Sequence, residues 1–130
     1  MEPQDTSRTN RRILIVEDEH FITELYVRAL TRAGYDVTTE VDGARGLALA
    51  LTNKFDIILL DLMVPSVTGI DILRRLRGPD AAPLKAKIVI TTNLEERESV
   101  RTDIEKQADA YLVKAEITPR ELVQFLGTVK

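Results

Sequence analysis

From Ile13 onward the chain alternates five short apolar runs with five longer segments of helical period, and no Gly/Ser-rich or Pro-rich linker breaks the alternation. The runs are ILIV at 13–16, YDVTTEV at 35–41, FDIILL at 55–60, AKIVIT at 86–91 and ADAYLV at 108–113. Strand-sized runs separated by helix-sized segments predict an α/β domain, because neighbouring parallel strands need a crossover long enough to hold a helix. Three of the runs are nearly continuous in apolar residues, as strands covered on both faces require. YDVTTEV is more polar and reads as an edge strand. Such crossovers are right-handed, so the predicted architecture is a doubly wound sheet of five parallel strands.

The intervening segments carry the helix signals. Ile22, Leu25, Tyr26, Ala29, Leu30 and Ala33 recur at i, i+3, i+4 and i+7 spacing, which marks a helix with one buried face that Gly34 ends. Ala44, Leu47, Ala48 and Leu51 mark a second helix, and Ile70, Leu73 and Leu76 a third that stops at Gly78-Pro79. The segment at 94–107 offers only Leu94, Val100 and Ile104 as an apolar stripe among many charges. It predicts a helix with a narrow buried face, whose outer side is open to solvent or a partner. Thr118, Pro119 and Glu121 supply an N-cap hydroxyl, an N1 proline and a capping-box carboxylate to the last helix, which carries Leu122, Phe125, Leu126 and Val129 on one side. Residues 1–11 are polar and aperiodic and read as a solvated leader, with Arg8, Arg11 and Arg12 as its cations, so 12–130 is the expected domain.

A chain of 130 residues has room for one such domain. Its 18 Lys and Arg against 21 Asp and Glu give a net charge of -3, so no overall positive field favours nucleic acid or anionic lipid. The absence of cysteine excludes disulfides, thiolate zinc sites and cysteine nucleophiles together. No run approaches the roughly 18 uninterrupted apolar residues of a membrane span, and MEPQDTSRTNRR holds no signal-peptide core. A cytoplasmic protein without a membrane partner is the expectation.

Ligands of open α/β sheets bind at the carboxyl ends of the strands. Here those ends are polar: Glu17, Asp18 and Glu19 follow the first run, Asp61 the third, Thr91 and Thr92 the fourth, and Lys114 the fifth. In a parallel sheet all of them gather on one edge. Clustered carboxylates repel one another unless cations compensate, so Glu17, Asp18 and Asp61 call for a hard divalent ion. Mg²⁺ and the Lys114 ammonium together balance those three charges. With the Thr91 hydroxyl as donor, the set suits phosphoryl oxygens.

The blocks RRILIVEDE, IILLDLMVPSVTG, KIVITTN and ADAYLVK, in this order and spacing, resemble the receiver domain of two-component response regulators over about residues 12–129. That resemblance implies a flavodoxin-like fold with strand order 2-1-3-4-5. It implies Asp61 as phosphoacceptor, forming an acyl phosphate at the expense of a histidine kinase or phosphotransfer protein. Asp18, Asp61 and the backbone carbonyl of Met63 are the implied direct Mg²⁺ ligands, with Glu17 acting directly or through a bound water. Thr91 matches the switch hydroxyl, Lys114 the cation that pairs with a phosphoryl oxygen, and Tyr111 the aromatic that moves from the surface into space vacated by Thr91. The implied output is a stand-alone regulator, monomeric or dimerising on phosphorylation, that engages a downstream protein through the 94–126 face. Its chemistry is self-directed phosphotransfer and autodephosphorylation, with no separate substrate.

Several positions depart from the family pattern. Ala115 follows Lys114 where proline with a preceding cis bond is usual, so the Lys114–Ala115 peptide is either a non-proline cis bond or trans. Thr92 replaces a small residue beside the phosphoryl pocket, and Gln107 replaces the glycine that commonly closes the fourth helix. Met63 and Asn93 fill variable positions two residues beyond Asp61 and Thr91. The lone histidine, His20, reads as an exposed residue at a helix start. The rival to a working receiver is a phosphorylation-independent adaptor, motivated by Ala115 and Thr92. An aspartate-nucleophile phosphatase lacks its second acid because Met63 holds that place, and no G-x-G-x-x-G or P-loop supports a nucleotide enzyme.

Overall fold

The structure, a computed structural model, describes residues 10–93 and 98–129. Most of the leader, Arg8 included, and Leu94 lie outside these residues. Among the described residues, strands β1 (Arg12–Val16), β2 (Asp36–Glu40), β3 (Ile57–Asp61), β4 (Lys87–Thr92) and β5 (Ala110–Val113) alternate with helices α1 (His20–Arg32), α2 (Gly43–Leu51), α3 (Gly69–Arg77), α4 (Glu98–Gln107) and α5 (Pro119–Leu126). All strand pairs are parallel and the order is β2-β1-β3-β4-β5, as expected, with the polar β2 at an edge. Among the described residues no helix is long and apolar enough to cross a membrane.

The pleat sorts the strand residues between two cores. Ile13, Ile15, Ile57, Leu59 and Val89 pack with Tyr26 and Leu30 of α1 and Leu122 and Leu126 of α5. Their neighbours of opposite parity, among them Leu14, Val16, Ile58, Leu60, Ile88 and Ile90, pack with Leu47 of α2, Leu73 of α3 and Ile104 of α4. Both faces of the sheet are therefore covered, which is why the central runs are apolar without alternation.

The helix ends follow their chemistry. Gly34, at φ 98°, closes α1 in a Schellman motif: its N–H donates to the Thr31 carbonyl and that of Tyr35 to Leu30. Thr118 and Glu121 form the full capping box of α5. His20 is the exposed first residue of α1.

The buried face of α2 differs from the expected one. Gly43, Gly46, Leu47 and Ala50 are buried, whereas Ala44 and Ala48 face solvent and Leu51 is 58% exposed. The reason is close approach: a Cβ on Gly46 would lie 2.7 Å from a Val16 methyl of β1, and one on Gly43 would meet the Pro65 and Val67 carbonyls, so the helix packs through glycines that carry no hydrophobic signal. The fifth strand also starts later than the apolar run, at Ala110. Asp109 is drawn into the connection, where its carboxylate accepts from the Ile88 N–H at 2.8 Å and the Arg77 guanidinium at 2.9 Å. Arg12 belongs to β1 rather than to a leader, and the Arg11 guanidinium donates to the Val129 carbonyl.

Candidate functional site

Glu17, Asp61, Thr91 and Lys114 continue the parity of Ile15, Leu59, Val89 and Leu112, so four strand ends deliver polar groups to the same side of the sheet. Pairing of β3 with β4 sets Asp61 beside Thr91 in register. The Lys114 ammonium lies 2.5 Å from Glu17 Oε1, 3.3 Å from Asp61 Oδ2 and 3.2 Å from Glu19 Oε1. The side chains of Glu17, Asp61 and Lys114 are each at most 3% exposed. Ala115 does not spoil this reach: the Lys114–Ala115 peptide is trans, and Lys114–Glu116 form a 3₁₀ turn.

The backbone beneath the acceptor is held tightly. Gly69, the glycine of the D-x-x-x-P-x-x-x-G block, donates its N–H to the Leu62 carbonyl, and a Cβ there would meet the Asp61 carbonyl oxygen at 2.3 Å. Thr68 caps α3 by accepting from the Asp71 N–H. The Met63 N–H donates to Asp61 Oδ1 at 3.2 Å, while the Met63 side chain points to solvent.

One ammonium faces three carboxylates here, and the proton affinities follow. Burial, together with the nearby Asp61, pushes the Glu17 carboxyl up to about 7 although Lys114 pulls against it. Burial acts against the Lys114 ammonium as well, but the surrounding carboxylates outweigh it and hold Lys114 above the ordinary lysine value. Glu19 sits below the usual carboxylate value, chiefly through its hydrogen bond from Asn93. Glu17 Oε1 is buried and accepts no directed hydrogen bond beyond its ion-pair contact with Lys114. The Glu17 carboxylate, gathered with those of Glu19 and Asp61, is a fitting donor for a hard cation.

The acid group that the structure assembles differs by one member from the expected one. Among the described residues, Glu17, Glu19 and Asp61 place carboxylate oxygens within 4.8 Å of one another. Asp18 is exposed and stands outside that group. Glu19 joins the group through Oε1, which accepts from Asn93 and Lys114. Tyr111 is 8% exposed and packs in the core on the α4 side, with the Arg101 guanidinium 4.6 Å from its ring centre. Thr92 is buried, and α4 ends at Gln107 without a left-handed residue.

The comparisons agree with this geometry. The family model for the response regulator receiver domain matches residues 13–126. Response regulator ArlR of Staphylococcus aureus is 36% identical over 119 residues, which is 92% of this chain and 51% of the relative. The chain thus spans about half the length of the curated relatives it matches. Among solved structures, the BeF3-activated N-terminal receiver domain of Klebsiella pneumoniae RstA is 30% identical, with a TM-score of 0.74 over 89% of this chain and 95% of that one. The receiver domain of Francisella response regulator 1452 is 27% identical, with a TM-score of 0.78 over 91% and 94%. With its fold, strand-end chemistry and matched length all in agreement, the chain belongs to the response regulator receiver domain family.

Proposed function

We propose that the chain accepts a phosphoryl group on Asp61 from a histidine kinase or phosphotransfer protein, and that the modified site alters a protein-binding face. The observation that carries this reading is the Asp61 carboxylate itself, buried at the end of β3, 3.3 Å from the Lys114 ammonium and in register with Thr91. An Asp61 oxygen attacks phosphorus, the bond from phosphorus to the donor breaks, and the donor leaves with that electron pair. Lys114, held charged by its carboxylate neighbours, then meets one phosphoryl oxygen, and the Thr91 hydroxyl donates to another. Glu17, Asp61 and the Met63 carbonyl, with Asp18 turning in from its exposed position beside them, are the residues that would hold Mg²⁺, and the close approach of the Glu17 and Asp61 carboxylates suits a hard cation. Magnesium bound there supplies positive charge that neutralises the phosphoryl oxygens. The output face comprises α4, β5 and α5, where Arg101 covers Tyr111.

The test is intact mass spectrometry after incubation with acetyl phosphate and Mg²⁺. One added phosphoryl group, lost in Asp61→Asn and lost with EDTA, is the expected result. A folded protein that gains no mass and shows no response to beryllofluoride would instead act as a phosphorylation-independent adaptor.

A further inference from the structure

Glu19 stands at the N-cap of α1, yet its carboxylate accepts nothing from the N–H groups of that helix. The same oxygen, Oε1, instead accepts from Asn93 Nδ2 at 3.0 Å and from Lys114 Nζ at 3.2 Å. One atom thereby ties together the loops that follow β1, β4 and β5. An N-cap side chain normally satisfies its own helix, so this orientation is sustained by the two longer-range partners.

An ammonium has three N–H donors, and at Lys114 they face Glu17, Asp61 and Glu19. A phosphoryl oxygen arriving on Asp61 needs one of them. Glu17 and Asp61 are buried on strand ends, but the Glu19 side chain is 44% exposed and can turn into water. Its backbone stays anchored while it does so, because the Glu19 N–H donates to Glu17 Oε2 at 3.1 Å.

We propose that Glu19 and Asn93 form a latch across the mouth of the acidic pocket, which occupies the Lys114 ammonium until a phosphoryl group displaces it. The proposal rests on Asp61 being the phosphoacceptor and adds a positioning residue that opposes the reaction. Release frees Asn93, which lies two residues beyond Thr91 on the connection to α4. Opening the latch and engaging Lys114 are therefore one event.

The experiment compares acetyl phosphate uptake by intact mass in the wild type, Glu19→Ala, Glu19→Gln, Asn93→Ala and the Glu19→Ala/Asn93→Ala pair, with thermal melting as the folding control. Both single alanine variants are expected to take up phosphate about three- to tenfold faster, the range for a lost, partly exposed charge-assisted hydrogen bond. The pair should be no faster than Glu19→Ala, since both changes remove one device. Glu19→Gln, which keeps the shape and weakens the acceptor, should fall between wild type and Glu19→Ala. Uptake by the wild type with unchanged or slower alanine variants overturns the latch alone; slower uptake would make Glu19 a cation ligand. Glu19→Gln at the wild-type rate beside a fast Glu19→Ala also overturns it, because the barrier is then bulk. No uptake by any of them removes the Asp61 reading and the latch with it, whereas uptake confined to the latch variants supports both.

Discussion

The Lys114 ammonium and the Glu17 carboxylate meet at 2.5 Å with both side chains at most 3% exposed, and Asp61 shares the same ammonium. Removing the cation leaves two buried acids facing each other. Lys114→Met is expected to lower stability in metal-free buffer by about 3–5 kcal/mol, the range for a broken buried pair. Urea unfolding checks this. Magnesium should restore a larger share of stability to the variant than it adds to the wild type, because the ion then has no ammonium to compete with.

Glu17 sets a pH dependence opposite to that of an ordinary paired carboxylate. Its folded value, about 7, lies above the ordinary 4.5, so the folded state holds the proton more tightly than the unfolded chain. That contribution is fully present below pH 4.5 and is lost as pH rises through 7. Metal-free protein should therefore lose on the order of 2 kcal/mol from this group between those limits. Unfolding of Glu17→Gln measured across the same pH range should lack this component; an unchanged slope would refute the assignment.

Gly69 fixes the distance between α3 and the acceptor strand. A methyl at this position would stand 2.3 Å from the Asp61 carbonyl oxygen and 2.6 Å from Leu62 Cα, both backbone atoms that cannot move aside. Gly69→Ala is expected to cost about 2–3 kcal/mol and to slow phosphate uptake by displacing Asp61. Chemical denaturation and mass spectrometry on one sample would report both.

At the other end of the chain the capping box of α5 predicts a purely structural effect. Thr118→Ala removes the oxygen that accepts from the Glu121 N–H and should destabilise by about 1 kcal/mol. Uptake of phosphate on the folded protein should be unaffected, which separates stability from chemistry in the variants above.

Much of this site is legible in the sequence because two conditions coincide. Asp61, Thr91 and Lys114 each end an apolar run, and a parallel sheet brings such ends together whatever the loops do. Glu19 was harder to see, since beside Glu17 and Asp18 it reads as one more exposed acid, and its role depends on where Asn93 and Lys114 arrive from other strands. The face of α2 was hidden for a different reason: Gly43 and Gly46 are buried for what they lack, and hydrophobic periodicity counts only side chains that are present. Asp109 shows the same limit at β5, where an ion pair with Arg77 overrides the apolar run.

The pleat that sends Glu17, Asp61, Thr91 and Lys114 to one side also governs which length changes this chain can survive. Deleting one residue inside β3 would turn Asp61 toward the α3 side and bring Leu60 or Leu62 into the acid pocket. The same deletion in the exposed stretch around Asp80 leaves every strand in phase. Insertions and deletions are thus confined by counting alone to the connections between strands and helices, and the strand ends are inherited in fixed register.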